Sequence, residues 1–193
     1  MPDGLRIDSK GSDEAAARLL ERAARARDLA PVMRVVAAEI DRETDTAFRS
    51  STSPFGEPFP RLAPSTAAAR AAKLPGANRR SKKSGQLTAG ARRKRTEAAA
   101  SYAAGAPKIF TPLIDTGRAR GSAHATADAT GVSWTAVGYL GPHIMGSKSP
   151  PGRPPKRNVS VFQMQGGVLR PIPRIQSLLL SGVARYVSTG RVS

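Results

Sequence analysis

The sequence predicts an α+β fold in which N-terminal helices pack on a small antiparallel sheet of about four strands, with a C-terminal helix closing the chain. Three observations predict it. Apolar residues recur at helical spacing within residues 12–49, and an apolar helical face follows Pro173. Between them, residues 118–127 alternate polar with small residues, and residues 132–138 alternate apolar with small or polar ones. Long basic loops are expected at residues 73–108 and 141–157.

Two helices are predicted near the N-terminus. Ser12 is a suitable N-cap followed by two acids, and helix-forming residues continue to Arg27. Pro31 suits the first turn of a second helix that runs to about Arg49. We expect these helices to pack on a sheet or on each other. The thin apolar stripe of the first helix consists of Leu19, Leu20, Ala23 and Ala24. Residues 1–11 are expected to form a flexible arm, and residues 12–193 a single domain.

The middle of the chain is rich in proline and then in positive charge. Four prolines within residues 53–64 predict extended and turn conformations, after which Ser65 and Thr66 can cap a short helix that ends at Arg70 or Lys73. Residues 73–95 contain no acid, and their interspersed glycine, serine and asparagine predict a loop. Residues 98–106 fit either a weak helical turn or further linker.

The C-terminal half contains the predicted strands. A turn at residues 115–117 precedes two strands that are joined near residues 128–131 as an antiparallel hairpin, with Trp134 on its inner face. Four prolines make residues 147–157 an extended basic loop, and residues 159–162 form one more short strand. A last helix is expected to end near Thr189–Gly190. Its apolar face consists of Ile175, Leu178, Leu179, Gly182, Val183 and Tyr186.

Charge is divided unevenly at Glu57. Residues 1–57 hold nine basic and eleven acidic residues, whereas the rest of the chain holds 22 basic residues and three acids. The net charges are therefore about −2 and about +19. Because so much positive charge repels itself, we expect an anionic partner or neighbouring subunits that supply negative charge.

No catalytic or metal site is predicted. The absence of cysteine excludes disulfides and thiolate chemistry, and it fits folding in the cytoplasm. The two histidines, His124 and His143, lie in no nucleophile-elbow motif and lack the spacing of a zinc site. We therefore expect no enzyme activity and no cofactor. Because the sequence has no long apolar run, we expect no signal peptide and no membrane span.

Four segments, in order, resemble motifs of the phage virion morphogenesis family of tail completion and neck proteins. Residues 48–66 are similar to the family's helix end and Pro-x-Gly-x-x-Trp turn, with Phe59 in place of the tryptophan. Residues 113–122 are similar to its Leu-x-x-Thr-Gly hairpin start. The third segment comprises Val137, Gly138, Tyr139, His143 and Gly146, and the fourth is Pro154, Pro155, Lys156 and Arg157.

The resemblance implies a structural protein at the neck or tail top of a virion that is assembled in the host cytoplasm. Its subunits would form a homo-oligomeric ring, a hexamer by the tail's symmetry, beside other neck, connector and tail-terminator proteins. Residues expected to set the hairpin start are Asp115, Thr116, Gly117 and Arg118. Those expected to orient the following loop are Tyr139, His143 and Gly146.

A DNA channel would run through or near such a ring, so the basic residues are expected to contact either DNA or acidic neighbours. They are Arg79, Arg80, Lys82, Lys83, Arg92, Arg93, Lys94, Arg95, Arg153, Lys156 and Arg157. The alternative function is that of a non-specific nucleic-acid-binding protein that acts through residues 73–95. No aromatic residue interleaves that stretch, so it offers no stacking platform for single strands.

Overall fold

A computed structural model of the chain describes residues 10–103, 117–145, 157–165 and 168–192. The helices are α1 (Lys10–Arg27), α2 (Ala30–Ser50), α3 (Pro64–Lys73), α4 (Ala89–Ala103), α5 (Arg118–Ser122), α6 (Gly141–Met145) and α7 (Pro173–Thr189). The strands are β1 (His124–Ala127), β2 (Val132–Thr135), β3 (Phe162–Gln165) and β4 (Val168–Pro171), and a 3-10 turn spans Gly138–Leu140. Among these helices, none has the length and apolar character needed to cross a membrane.

Helix α2 is the centre of the fold, and the prediction of this helix is confirmed. Pro31 lies in its first turn, and the N–H of Ala30 donates to Oδ1 of Asp28 at 3.0 Å. Its buried side chains lie on one side at helical spacing, as an amphipathic helix requires. Towards the N-terminal end they join one hydrophobic cluster, and towards the C-terminal end Ala47 and Phe48 join a second. The same helix therefore organises both halves of the main core.

Helix α7 packs along α2 and completes the first cluster. Val32, Val36 and Ile40 of α2 meet Ile172 and Ile175 there. A Cβ atom at Gly182 would lie 3.0 Å from Cγ1 of Val32, so the glycine permits the close approach of the two helices. The helix ends at Gly190, which adopts a left-handed φ of 75° and donates its N–H to the Tyr186 carbonyl at 2.7 Å. The predicted closing helix and its end are confirmed.

Strands β1 and β2 form the predicted antiparallel hairpin, in which Ala125 pairs with Trp134. Trp134 is half-buried and packs against both hydrophobic clusters, as expected for an inner-face residue. The turn is held by Oδ1 of Asp128. It accepts hydrogen bonds from the Thr130 hydroxyl at 2.7 Å and from the N–H groups of Thr130 and Gly131 at 2.6 and 2.8 Å. These bonds, with the Thr130 hydroxyl contributing most, lower the pKa of Asp128.

The expectation of one sheet of about four strands is wrong. The described strands form two separate antiparallel pairs, β1–β2 and β3–β4. Residues 159–161 were expected to begin a strand but are irregular and buried. Their backbone bonds to nearby side chains: the Ser160 N–H donates to Asn158 Oδ1, and the Phe162 N–H to Ser160 Oγ, each at 3.0 Å. Such local bonds compete with a strand ladder, so pairing starts only at Phe162.

Two further differences concern short helices. Residues 118–122 were expected to belong to a strand but form α5, in which Ala119 is buried against the cluster of Phe48. This stretch has only small and polar residues, so its alternation lacks the bulky apolar side chains that favour a strand. Residues 141–145, at the start of the expected 141–157 loop, form α6. Residues 146–156 of that loop lie outside the described residues.

Helix α1 makes its principal contact with α7, rather than with α2 or a sheet as expected. Nη1 of Arg25 lies 3.5 Å from the carbonyl oxygens of Val187 and Ser188, which places a cation at the negative C-terminal end of α7. The apolar stripe of α1 is not buried, since Leu19 is 64% and Leu20 72% exposed. Lys10 and Gly11 are already helical, and residues 1–9 of the predicted arm lie outside the described residues.

Candidate functional site

Residues 64–103 form a helical hairpin, here called the α3–α4 hairpin, which holds most of the basic stretch. Pro64 starts α3 without a side-chain cap, so the helix begins one residue before the predicted caps Ser65 and Thr66. Its interior is a small cluster separate from the main core, made of Leu62, Ala67, Ala71 and Ala98, with Leu74 beside it. Alanine side chains let the two helices approach closely but bury little apolar surface.

The prediction of a loop over residues 73–108 is wrong for α4, which covers residues 89–103. Arg92, Arg93, Lys94 and Arg95 therefore lie on a helix. Alanine, arginine and lysine have high helix propensity, and Oγ1 of Thr88 accepts the N–H of Ala91 at 3.3 Å at the start of the helix. The glycine, serine and asparagine residues that suggested a loop lie mainly in the connection between α3 and α4. Residues 104–108 lie outside the described residues.

Two cations of α4 hold the segment that follows α3. Nζ of Lys94 donates to the Pro75 carbonyl at 3.1 Å, and Nε of Arg95 donates to the Ala77 carbonyl at 2.9 Å. Arg95 also donates to Oδ1 of Asn78. A groove of about 480 Å³ lies beside Lys94, between the end of α3 and α4. These residues are donors to backbone oxygens, so their positive charge stabilises the hairpin without an acidic partner.

Two more cations hold the turn farther along the connection. Nη1 of Arg80 donates to the Gly85 carbonyl at 2.8 Å, and Nε of Arg92 donates to the Leu87 carbonyl at 3.1 Å. The turn between them is closed by the N–H of Ser81, which donates to the carbonyl of Gln86 at 2.7 Å. Arg80 and Arg92 therefore have structural contacts as well as charge.

Three cations of the hairpin lack such contacts. The side chains of Arg79, Lys82 and Lys83 are exposed and form no hydrogen bond or ion pair within the part of the chain that the structure describes. Arg93 differs, since its Nε lies 3.2 Å from Oε1 of Glu97, but the two side chains are 81% and 63% exposed. The three exposed cations without internal contacts thus lie in the connection between the two helices.

Three acids of α2 are paired with arginines within the fold. Arg174 of α7 lies 2.8 Å from both Glu39 and Glu43 of α2. Asp45 binds Arg120 of α5 and also Arg49, the latter at 2.7 Å. Sequence reasoning missed these ion pairs, because nothing in the local pattern shows which distant arginine faces α2. The even spacing of Glu39 and Glu43, one helical turn apart, is the signal that could have indicated a shared partner.

The residues expected to set the start of the β-hairpin are only partly described. Gly117 has a left-handed φ of 76°, which is the backbone of a turn that favours glycine, and Arg118 begins α5 with an exposed side chain. Asp115 and Thr116 lie outside the described residues. Tyr139 lies in the 3-10 turn, while Gly146 lies outside the described part. The expected orienting roles of these residues stay predictions.

Arg157, one of the residues expected to contact DNA or acidic neighbours, is buried in the fold. It is only 5% exposed, and its Nε and Nη2 donate to the carbonyls of Pro60 and Arg61, each at 3.1 Å. Its own N–H donates to the carbonyl of His143 at 2.7 Å. A guanidinium held in this way fastens the proline-rich segment to the residues after α6. Arg153 and Lys156, its expected companions, lie outside the described residues.

The described part of the chain offers charged and apolar surfaces for binding. Among the described residues there is no group of three or more acidic or histidine side chains placed to hold a metal ion.

Comparison with known proteins found one family: the model of the phage virion morphogenesis family matches residues 7–148. No curated protein and no solved structure gave a significant match. The matched range covers α1 to α6, and with it α2, both helices of the basic hairpin and β1–β2. The chain therefore belongs to the phage virion morphogenesis family, whose members have structural or assembly roles in phage particles.

Proposed function

We propose that this protein is a structural subunit of a tailed-phage virion that forms a ring at the head–tail junction, completing the tail and joining it to the head. Membership in the virion morphogenesis family carries the proposal. The ring is a homo-oligomer, a hexamer by the symmetry of the tail. Its neighbours are other neck, connector and tail-terminator proteins, and it is assembled in the host cytoplasm. It has no enzymatic role.

Exposed apolar side chains support an assembled state. Large aliphatic residues are more than half exposed on three elements: Leu19 and Leu20 on α1, Val168 and Leu169 on β4, and Leu180 on α7. Single exposed apolar residues are ordinary on a monomer, but Leu19 and Leu20 are adjacent on one helix, and such clusters are typical of surfaces that meet a neighbour. In a ring, each subunit covers one such surface of the next.

The β3–β4 pair adds to this argument. A two-stranded sheet is marginal in isolation and leaves the outer edge of each strand unpaired. A neighbouring subunit packed on one face of this sheet would cover Val168 or Leu169, which lie on opposite faces, and stabilise the pair. The neighbour would bury the apolar side chains that the chain's own core leaves exposed.

The test is electron microscopy of particles made by a phage in which this gene carries a nonsense mutation, with the gene supplied from a plasmid as the control. We expect DNA-filled heads beside unattached tails, and joined particles when the plasmid is present. Normal infectious particles without the gene would contradict the proposal. Empty heads would instead assign the protein to an earlier step of head assembly.

A further inference from the structure

We propose that the α3–α4 hairpin is a site for the phosphate backbone of double-stranded DNA, bound without base specificity through Arg79, Lys82 and Lys83. The proposal goes beyond the place of the protein in the virion and does not depend on ring formation. It rests on three observations: which cations of the hairpin form internal hydrogen bonds, which acids of α2 form ion pairs, and the scarcity of apolar and aromatic side chains on the hairpin surface.

Folding brings the cations into one small unit. From Pro58 to Thr96 the chain contains no acidic residue, and the first acid, Glu97, is paired with Arg93. Hydrogen bonds from Arg92, Lys94 and Arg95 fasten α4 to the connection that carries the three proposed contacts. The bonds leave the net charge of the unit unchanged. A positive potential therefore accumulates at the connection, where a polyanion would be attracted.

The three proposed contacts differ from the other cations of the hairpin because their side chains form no hydrogen bond within the described residues. Arg80, Arg92, Lys94 and Arg95 donate to carbonyl oxygens of the hairpin itself. The side chains of Arg79, Lys82 and Lys83 have no such bond within the described residues, and all three are exposed. Binding an anion there would cost no internal hydrogen bond. Lysine and arginine in this state gain binding free energy by releasing the counterions of phosphates.

The acids of α2 in a second copy of this chain are poor partners for that surface. The acids of α2 are already bound inside the fold: Glu39 and Glu43 to Arg174, and Asp45 to Arg49 and Arg120. Docking the cationic connection on them would require these ion pairs to break. The acids of α2 therefore do not supply the anion for this surface.

The hairpin surface also lacks the features of a protein interface. The large apolar side chains exposed in the described residues lie on α1, α2, β4 and α7, and none lies on the hairpin. Protein interfaces are anchored by aromatic and aliphatic residues and are poor in lysine, whereas DNA interfaces are polar and strongly positive. Residues 74–88, the connection that carries the three contacts, contain no aromatic residue on which an unpaired base could stack, which favours duplex over single-stranded DNA.

The test is fluorescence anisotropy of the full-length protein with two labelled duplexes of unrelated sequence, titrated at several salt concentrations. The variant Arg79→Ser/Lys82→Ser/Lys83→Ser removes the proposed contacts. The control variant Arg22→Ser/Arg34→Ser/Arg185→Ser removes the same charge from exposed cations outside the hairpin, on α1, α2 and α7. Circular dichroism establishes that each variant is folded.

We expect the wild type to bind both duplexes equally, with an affinity that falls steeply as salt rises. The hairpin variant is expected to bind about tenfold or more weakly and to reduce the slope of log K against log salt by about 2 to 3. The control should lose far less affinity and keep most of the slope. Equal losses of DNA affinity in the two variants would show that net charge alone drives binding and would contradict the proposed site. Tight binding of polyglutamate without binding of DNA would also contradict it and would assign the surface to an acidic protein.

Discussion

The core around α2 and the α3–α4 hairpin are stabilised in different ways. The core buries large side chains such as Phe48, Ile40 and Leu140, and its charged groups are neutralised in acid–arginine pairs. The α3–α4 hairpin packs mainly on alanines, and four of its cations, Arg80, Arg92, Lys94 and Arg95, bond to carbonyl oxygens instead of to acids. A segment can thus use positive side chains to fold and still keep its full charge. The first arrangement provides stability, whereas the second preserves an electrostatic surface.

Phe48→Ala is expected to have the largest effect, because this ring is fully buried in the second cluster of the core. Removing a buried aromatic side chain leaves a cavity and costs about 3–5 kcal/mol of unfolding free energy. Urea unfolding followed by the fluorescence of Trp134, the single tryptophan of the chain, measures it. Val35→Ala is the control, since Val35 is 41% exposed. A loss of stability confined to the α3–α4 hairpin would contradict the division between the core and that hairpin.

Arg95→Met is expected to loosen the hairpin while leaving the core intact. It removes the donors to Ala77 and Asn78, and bonds from a charged donor contribute about 1.5–3 kcal/mol each. Hydrogen exchange should become faster in residues 74–88, with Trp134 fluorescence unchanged. Arg93→Met is the matched control, because it removes the same charge from an exposed position of α4. Equal effects of the two changes would mean that Arg95 acts only through its charge.

Thr44→Val is expected to stabilise the core. Thr44 is 2% exposed, and its Oγ1 has no hydrogen-bond partner among the described residues. Replacing an unpaired buried hydroxyl by a methyl group of similar size should raise the unfolding free energy by about 1 kcal/mol. Differential scanning calorimetry measures the change. Thr46→Val is the control, since Thr46 is exposed and its hydroxyl donates to the Arg42 carbonyl at 2.8 Å. A destabilised Thr44→Val protein would point to a bound water or partner at that hydroxyl.

Arg174→Ala is expected to have the smallest effect. Arg174 is 60% exposed, so its pairs with Glu39 and Glu43 are screened by water and should contribute about 0.5–1 kcal/mol. The loss should shrink as salt is added, because ions weaken exposed pairs. Thermal unfolding at low and high salt measures it, with Arg170→Ala, on exposed β4, as the control. A loss that is independent of salt would show that the arginine acts through packing instead.

Three of the elements that were predicted correctly carry a repeat of large apolar residues. Helices α2 and α7 and the hairpin β1–β2 each show the period of their conformation, and Trp134 marks the inner face of the hairpin. Helix α4 was missed because its apolar residues are alanines spread around the whole helix, which leaves no period to detect. The separation of the two sheets was missed because Asn158 and Ser160 redirect the backbone by local bonds that pairing patterns do not register.

The sequence alone was sufficient to reveal the family and the uneven charge. It also revealed helices α2 and α7 and the β1–β2 hairpin, whose apolar residues repeat with the period of their conformation. These properties depend on motifs, on counting, or on neighbours a few residues apart. The folded chain was needed to show that Arg157 is buried on the carbonyls of Pro60 and Arg61, and that the cations of the hairpin divide into bonded and unbonded sets. An arginine has the same sequence signal whether it faces solvent or a carbonyl oxygen. Its role is set by which backbone atoms the fold brings within hydrogen-bonding distance.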